Sequence, residues 1–354
     1  MSSPGNIGVF QRNCRTGIAA RFRGDMTIGE NQLKFRDAHI SHLVLRMSTL
    51  LWLTSLAAAL AAVRLAFFIR STLSDWAVCQ SWNWMIAALL TLVFQAFLAL
   101  PPMNMSRAVV SAATYFSATM LLTPLVTTLG ARRPGISAWH WFVVLPMVAV
   151  LQCPALSQLS GSHWRSPLDL SGPAVMGVVV VLIMSAGTML GTSSAGFALL
   201  YSSGILLLLA PSTSLGATSL GAAESSVAAG GAMLILAALA VARRNLERRY
   251  AQLRAAPTRL ERVSVVWELF GSLYGIAWTR RVQDRVNQFA TDEKWTVRLT
   301  ATGLERLDGG TPTDEELQQP MNAYIWVLAR FADKTWLKTA LNPQNQNSPA
   351  NRLN

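Results

Sequence analysis

Charge is the scarcest property of this 354-residue chain: Asp, Glu, Lys and Arg make up 14% of it, against roughly 25% in soluble domains. With 52% hydrophobic residues, that shortage excludes an ordinary soluble globular fold. Cysteine is almost as rare. Cys14, Cys79 and Cys153 are odd in number, far apart and without a CxxC pair, which excludes a disulfide framework and a thiolate zinc site. Of the four histidines, His39 and His42 stand three apart. A metal needs a third ligand and none is near, so both are read as polar-face residues and no metal is expected.

Reaction motifs are missing too. No GxxxxGK[ST], HExxH or GxSxG occurs, which removes the commonest signatures of nucleotide, metalloprotease and hydrolase chemistry. The apolar stretches hold no Asp, Glu, Lys or His in their central portions, and a proton relay or ion-coupled site would need one. Arg64 alone lies well inside, close enough to Arg70 and the helix end to snorkel outward. No cofactor is expected, and the chain is read as not an enzyme.

What is present is an almost continuous apolar block over 47–242. It contains seven stretches, approximately 47–69, 83–100, 108–129, 139–156, 172–190, 194–210 and 226–242. Each is near the length of about 20 residues that a helix needs to cross a hydrocarbon core. Pro101-Pro102, Arg132-Arg133-Pro134-Gly135 and Pro211 punctuate them, where helices stop. Trp76, Trp82, Trp84, Trp139, Trp141 and Trp164 cluster at their ends, as rings at headgroup level do. Gln95 and Gln152 suit bonds between helices, and Pro124 and Pro146 suit kinks. The expected fold is an all-α polytopic integral membrane protein of about seven transmembrane helices, with a small, mostly helical C-terminal region in which a strand pair is possible.

Charge placement gives the topology. Residues 1–46 hold 7 basic and 3 acidic groups, 47–242 hold 6 and 3, and 243–354 hold 17 and 12. Arg243, Arg244, Arg248, Arg249 and Arg254 follow the last stretch directly. Such a segment is retained on the cytoplasmic side and attracted to anionic lipid headgroups. The expectation is a multi-pass protein of the inner, or cytoplasmic, membrane with its C-terminus in the cytoplasm; the net charge of +12 is read as topology, not nucleic-acid binding. Seven crossings place the N-terminus outside. A hairpin around 172–210 making one crossing in total gives six and brings both ends inside, and the sequence accommodates either. In the small-residue stretches, Gly187 and Gly191 stand four apart, the spacing that lets two helix backbones approach closely in lipid.

Four segments follow. Residues 1–46 form a basic N-terminal segment, irregular to 32 with a short interfacial helix over 33–46. Residues 47–242 are the transmembrane domain, 243–341 a basic juxtamembrane helix with a small C-terminal domain, and 342–354 a disordered tail. In the third segment the last transmembrane helix continues to Pro257, an apolar stripe marks a helix over 265–290, and alternation over 295–301 suggests a strand whose partner is 304–307. Thr313 and Glu316 resemble a capping box, and Pro320 suits the first position of a further helix reaching Leu337. The carboxylates here have no His or Cys beyond Ala242, so the usual partners of a catalytic acid are missing. Two classes of function remain: a non-catalytic membrane component whose cytoplasmic tail binds a protein partner, or a permease-like subunit of a transporter energised by a separate ATPase.

Overall fold

A computed structural model describes residues 19–103, 105–132, 135–160, 168, 170, 172–213 and 224–342, with side chains from residue 46 onward except at 136 and 158–160. Cys14, Trp164, the side chains of His39 and His42, and the chain from 343 lie outside the described residues. Two compact units, Met1–Leu50 and Leu51–Asn354, divide the chain. The first contributes the N-terminal part of α1 (Ala19–Thr72). The sequence leads one to expect irregular chain to residue 32, yet the helix begins at Ala19. Extending a helix adds a hydrogen bond for each residue fixed and avoids a new nucleus, so an apolar run can draw a patternless neighbour into its helix.

The second unit continues with α2 (Cys79–Leu98), α3 (Arg107–Met120), α4 (Thr123–Leu129) and α5 (Ile136–Trp139). A π-helical turn (His140–Val144), α6 (Leu145–Ser160), α7 (Gly172–Gly187), α8 (Ala195–Leu209) and α9 (Glu224–Ala255) complete the apolar block. Among the described residues, six helical runs are long and apolar enough to cross a membrane: Arg46–Thr72, Cys79–Leu98, Arg107–Leu129, Ser137–Ser157, Ala195–Ser212 and Glu224–Ala255. This is the architecture of an all-α membrane protein. α7 is shorter, at 16 residues, or about 24 Å at 1.5 Å per residue.

Proline shapes two of these runs. Pro124 has no N–H to give to Met120, and its ring crowds that carbonyl; the helix breaks at Leu121-Leu122 between α3 and α4. The Thr123 hydroxyl donates to the Met120 carbonyl instead (2.7 Å), the usual way in which a hydroxyl satisfies a freed backbone group in lipid. Pro146 likewise follows the π turn, where Leu145 N–H reaches back to His140 O. Gln152 donates to Thr119 Oγ1 and so joins α6 to α3, as expected, whereas Gln95 is buried without a partner among the described residues and it is Ser117 Oγ, donating to Thr91 O (2.9 Å), that joins α3 to α2.

The close backbone approach expected at Gly187 and Gly191 lies elsewhere. Gly187 is the last residue of α7 and a Cβ there would meet nothing within 4 Å. Gly191 is in the following turn at φ 83°, so the pair does not share one helical face. The touching backbones belong to α8 and α9. A Cβ on Gly204 would meet Ile235 Cγ1 at 2.8 Å and Gly231 O at 3.0 Å, and one on Gly231 would meet Leu208 Cγ at 2.8 Å.

α9 runs on past Ala242 to Ala255, as the Arg-rich composition predicts. Beyond it come α10 (Arg259–Asp292), β1 (Val297–Leu299), β2 (Leu304–Arg306), α11 (Asp314–Leu328) and α12 (Lys334–Leu341). Thr258 caps α10 by accepting from Glu261 N–H (3.2 Å). The strands pair antiparallel, with Arg298 opposite Glu305; Val297, Leu299 and Leu304 are buried. Thr313 and Glu316 form the capping box of α11. Pro320 does not begin a helix but lies inside α11, where it forfeits one bond near the N-terminus while Met321, Tyr324 and Leu328 bury beside it. The expected single helix to Leu337 is two, because Asp333 Oδ1 caps α12 by accepting from Thr335 N–H (2.8 Å) and Trp336 N–H (3.1 Å). One hydrophobic core runs without interruption from Ala58 in α1 to Leu341 in α12.

Candidate functional site

Connectors 73–78 and 188–194 and residues 129–132 meet the C-terminal region at one end of the bundle. Connector 73–78 pairs with the link between α11 and α12. Trp76 and Ala332 form an antiparallel bridge, Ala77 N–H donates to Phe331 O (2.7 Å) and Asp333 N–H to Asp75 O (2.7 Å). The Tyr274 hydroxyl accepts from Val78 N–H (3.1 Å) and donates to Phe331 O (2.9 Å). A buried N–H left without a partner is costly, so one phenol answers for both chains.

Rings fill the space behind these bonds. Phe270 and Tyr274 stack at 4.9 Å, and Phe331 stands edge-on to Phe270, Tyr274 and Trp278 at 5.1 to 5.2 Å. Trp76 lies edge-on to Trp336 at 5.0 Å. Offset and edge-to-face pairs of this kind add about 0.5–1.5 kcal/mol beyond area burial. Tyr250 closes the side of the cluster by donating to Thr72 O (3.3 Å).

α10 reaches the other two segments by breaking. Gly275 adopts φ 77°, ψ 175°, and the N–H of Ile276, turned out of its own helix, donates to Thr188 O (2.7 Å). Ser194 Oγ donates to Ser272 O (2.7 Å) and Asn245 Nδ2 to Ser193 O (2.8 Å). Trp278 Nε1 donates to Leu129 O (3.0 Å), while Trp139 lies against Gly130 and donates to Val126 O (3.2 Å). Between the spans and this junction is a mainly apolar cavity of about 70 Å³, with Ser81, Ser194, Asn245 and Ser272 among its lining.

The α9 arginines chosen from the sequence divide into two groups. Arg243 pairs with Glu247 (2.6 Å) and stands over Phe68, and Arg249 pairs with Glu268. Arg244, Arg248 and Arg254 are exposed. Arg262, which no charge pattern singles out, is 2% exposed and donates to Ala256 O and Ala340 O (both 3.1 Å). It thereby satisfies one carbonyl at the C-terminal end of α9 and one at that of α12, where a cation is favoured.

The carboxylates of the C-terminal region serve as ion pairs and caps. Asp284 pairs with Arg280 (3.2 Å), and Arg306 with Asp308 (3.2 Å) and Glu316 (3.7 Å). The Thr313 N–H, foremost, holds the Glu316 carboxyl below its ordinary range; hydrogen bonds from Thr302 and Thr300 do the same for Glu305. Burial drives the Tyr324 phenol well above the ordinary range. Among the described residues, no three His, Cys, Asp or Glu side chains gather as a metal site would.

Tyr274, Gly275, Trp278 and Phe331 escape a reading by sequence pattern, because their roles depend on segments far away in the chain. One signal was available: a glycine inside a helical stripe, costing about 1 kcal/mol against alanine, usually has a packing reason. Comparison of the chain with family models, with curated proteins and with solved structures gave no match.

Proposed function

We propose that this protein is a non-catalytic, seven-span component of the inner membrane whose C-terminal region lies in the cytoplasm and docks a protein partner. The observation that carries the reading is an open groove between α10 and α11, lined by Phe289, Trp295, Asn322 and Trp326. Trp326 is 50% exposed, whereas Trp267, Phe270, Tyr274, Tyr324 and Phe331 are buried and Phe289 and Trp295 are half-buried. Arg285 stands over Phe289 (4.6 Å) and Arg330 over Trp326 (5.0 Å). Aromatic residues with arginine beside them are the side chains that most often dominate protein interfaces. A partner segment with an apolar side chain flanked by carboxylates would complement this groove.

Two observations support the seven-span topology. α7 starts two residues after Leu170, which bonds to Ser212 at the end of α8, and ends next to Thr188, which bonds to α10; it therefore runs between the same two levels as its longer neighbours. The exposed Arg244, Arg248 and Arg254 and the connector carrying Arg132 are at the level of the C-terminal region, as the excess of arginine on cytoplasmic loops requires.

A point change tests docking better than deletion of 257–354, which would also strip the cover from Trp76 and Val78. Trp326→Ala with Arg285→Glu should leave membrane insertion and thermal stability unchanged while abolishing co-purification of the partner. If every co-purifying protein is retained, the groove is not a docking surface.

A further inference from the structure

We propose that Arg132 and Arg281, held on Trp278, bind the phosphate of an anionic phospholipid headgroup. The inference rests on the membrane reading above and gives the chain a built lipid site distinct from the diffuse attraction of the α9 arginines. A pocket of about 580 Å³ opens between residues 129–132 and 135, the start of α5 with its π turn, and α10; Arg132, Trp139, Phe142, Trp278 and Arg281 line it. Trp278 is fixed at its centre by its bond to Leu129 O and its contact with Phe331. The guanidinium carbon of Arg132 is 5.8 Å from the Trp278 ring centre and that of Arg281 is 5.1 Å away, so the two cations lie within about 11 Å of each other.

Arg243, Arg249, Arg280 and Arg306 of the region pair with carboxylates, while Arg285 and Arg330 each stand alone over a ring of their own; Arg132 and Arg281 share one ring. Neither of these two has a carboxylate partner among the described residues, and no carboxylate lines their pocket. Two guanidinium groups against one ring, in a pocket with no carboxylate in its lining, favour an oxyanion there, and arginine forks match phosphate geometry. The pocket's other wall names the source of that phosphate. Phe142 is 80% exposed and belongs to the apolar run Ser137–Ser157, so in a membrane its ring would be offered to acyl chains. A free phosphate would use the cations and leave this wall idle, whereas a phospholipid uses both.

The test uses the full chain in neutral detergent. Thermal unfolding is followed while phosphatidylglycerol, phosphatidylcholine or inorganic phosphate is added, and lipid retained on the protein is counted by native mass spectrometry. Phosphatidylglycerol should raise the midpoint and be retained, phosphatidylcholine should do neither, and Arg132→Gln with Arg281→Gln should weaken the anionic lipid's effect at least about tenfold, the loss of one charge-assisted bond. Both side chains are exposed, so the variant should unfold at the parent temperature without lipid. Arg244→Gln with Arg248→Gln should preserve the effect. Equal responses to the two lipids, persistence in the Arg132/Arg281 variant, or equal loss in the Arg244/Arg248 variant overturns the site. A full response to inorganic phosphate alone overturns the lipid assignment. Failure here leaves the membrane reading intact, since that is tested by fractionation.

Discussion

Thr188 lies so close to Gly275 that a Cβ on the glycine would stand 2.5 Å from the Thr188 carbonyl oxygen. Two requirements for glycine therefore coincide at one residue: a backbone in the left-handed half of conformational space, at φ 77°, and a neighbouring chain with no room to retreat. Gly275→Ala should lower stability by about 1–3 kcal/mol from the backbone conformation alone, with the clash adding to it. Thermal unfolding of the full chain in detergent measures this, and an unchanged midpoint would show that the break in α10 is not needed for docking.

Gly204 and Gly231 should behave differently from Gly187. A leucine at either of the first two forces α8 and α9 apart, and the midpoint should fall. Gly187→Leu adds a side chain where nothing stands within 4 Å and should leave it unchanged. Equal effects at all three positions would mean that α7 packs against something through Gly187 after all.

Tyr274→Phe removes the acceptor of Val78 N–H and a donor to Phe331 O without emptying the ring's place. Leaving a buried donor unsatisfied costs about 1–3 kcal/mol. Hydrogen exchange at Val78 and at Ala77 should quicken together, because both amides bond across the same junction. Exchange that stays at the parent rate at both would exclude a structural role for the hydroxyl.

The capping box at α11 gives a pH dependence of definite sign. The Glu316 carboxyl is depressed in the folded chain, chiefly by the Thr313 N–H, so its contribution to stability is fully present above the ordinary glutamate value. It is lost as pH falls through the lower folded value. Glu316→Gln keeps the shape of the cap and removes the titration. Local opening of α11 measured by hydrogen exchange should accelerate below about pH 4.3, the unfolded-side value, in the parent and not in this variant; identical profiles would place the acid response elsewhere.

The spans are legible in the sequence because each needs only a long apolar run and a stop. Pro101-Pro102 and Pro211 mark stops that need no tertiary information. The strand pair over 297–306 and the cap at Thr313 are equally local, as is the arginine-rich extension of α9. What the sequence conceals depends on distance along the chain. Gly187 and Gly191 match a spacing rule, but the rule assumes one continuous helix, and the helix ends at the first of them. Gly204 and Gly231 match no spacing because they belong to different helices. Pro320 reads as a helix start by propensity and is overruled by the burial of Met321 and Tyr324. Arg132 and Arg281 are ordinary surface arginines until the fold sets both on Trp278.

The bridge between Trp76 and Ala332 joins residues 256 positions apart in a chain of 354. A ribosome makes residue 76 long before residue 332, so the connector of the first helical pair must wait, with Ala77 N–H and Asp75 O unclaimed by their final partners, until the last helices emerge. Contacts of such long sequence separation form late. The order of synthesis thus makes α11 and α12 the closing step of assembly, and a chain stalled before Phe331 would display an unfinished edge at that end of the helices. That edge is a mark by which incomplete copies differ from complete ones.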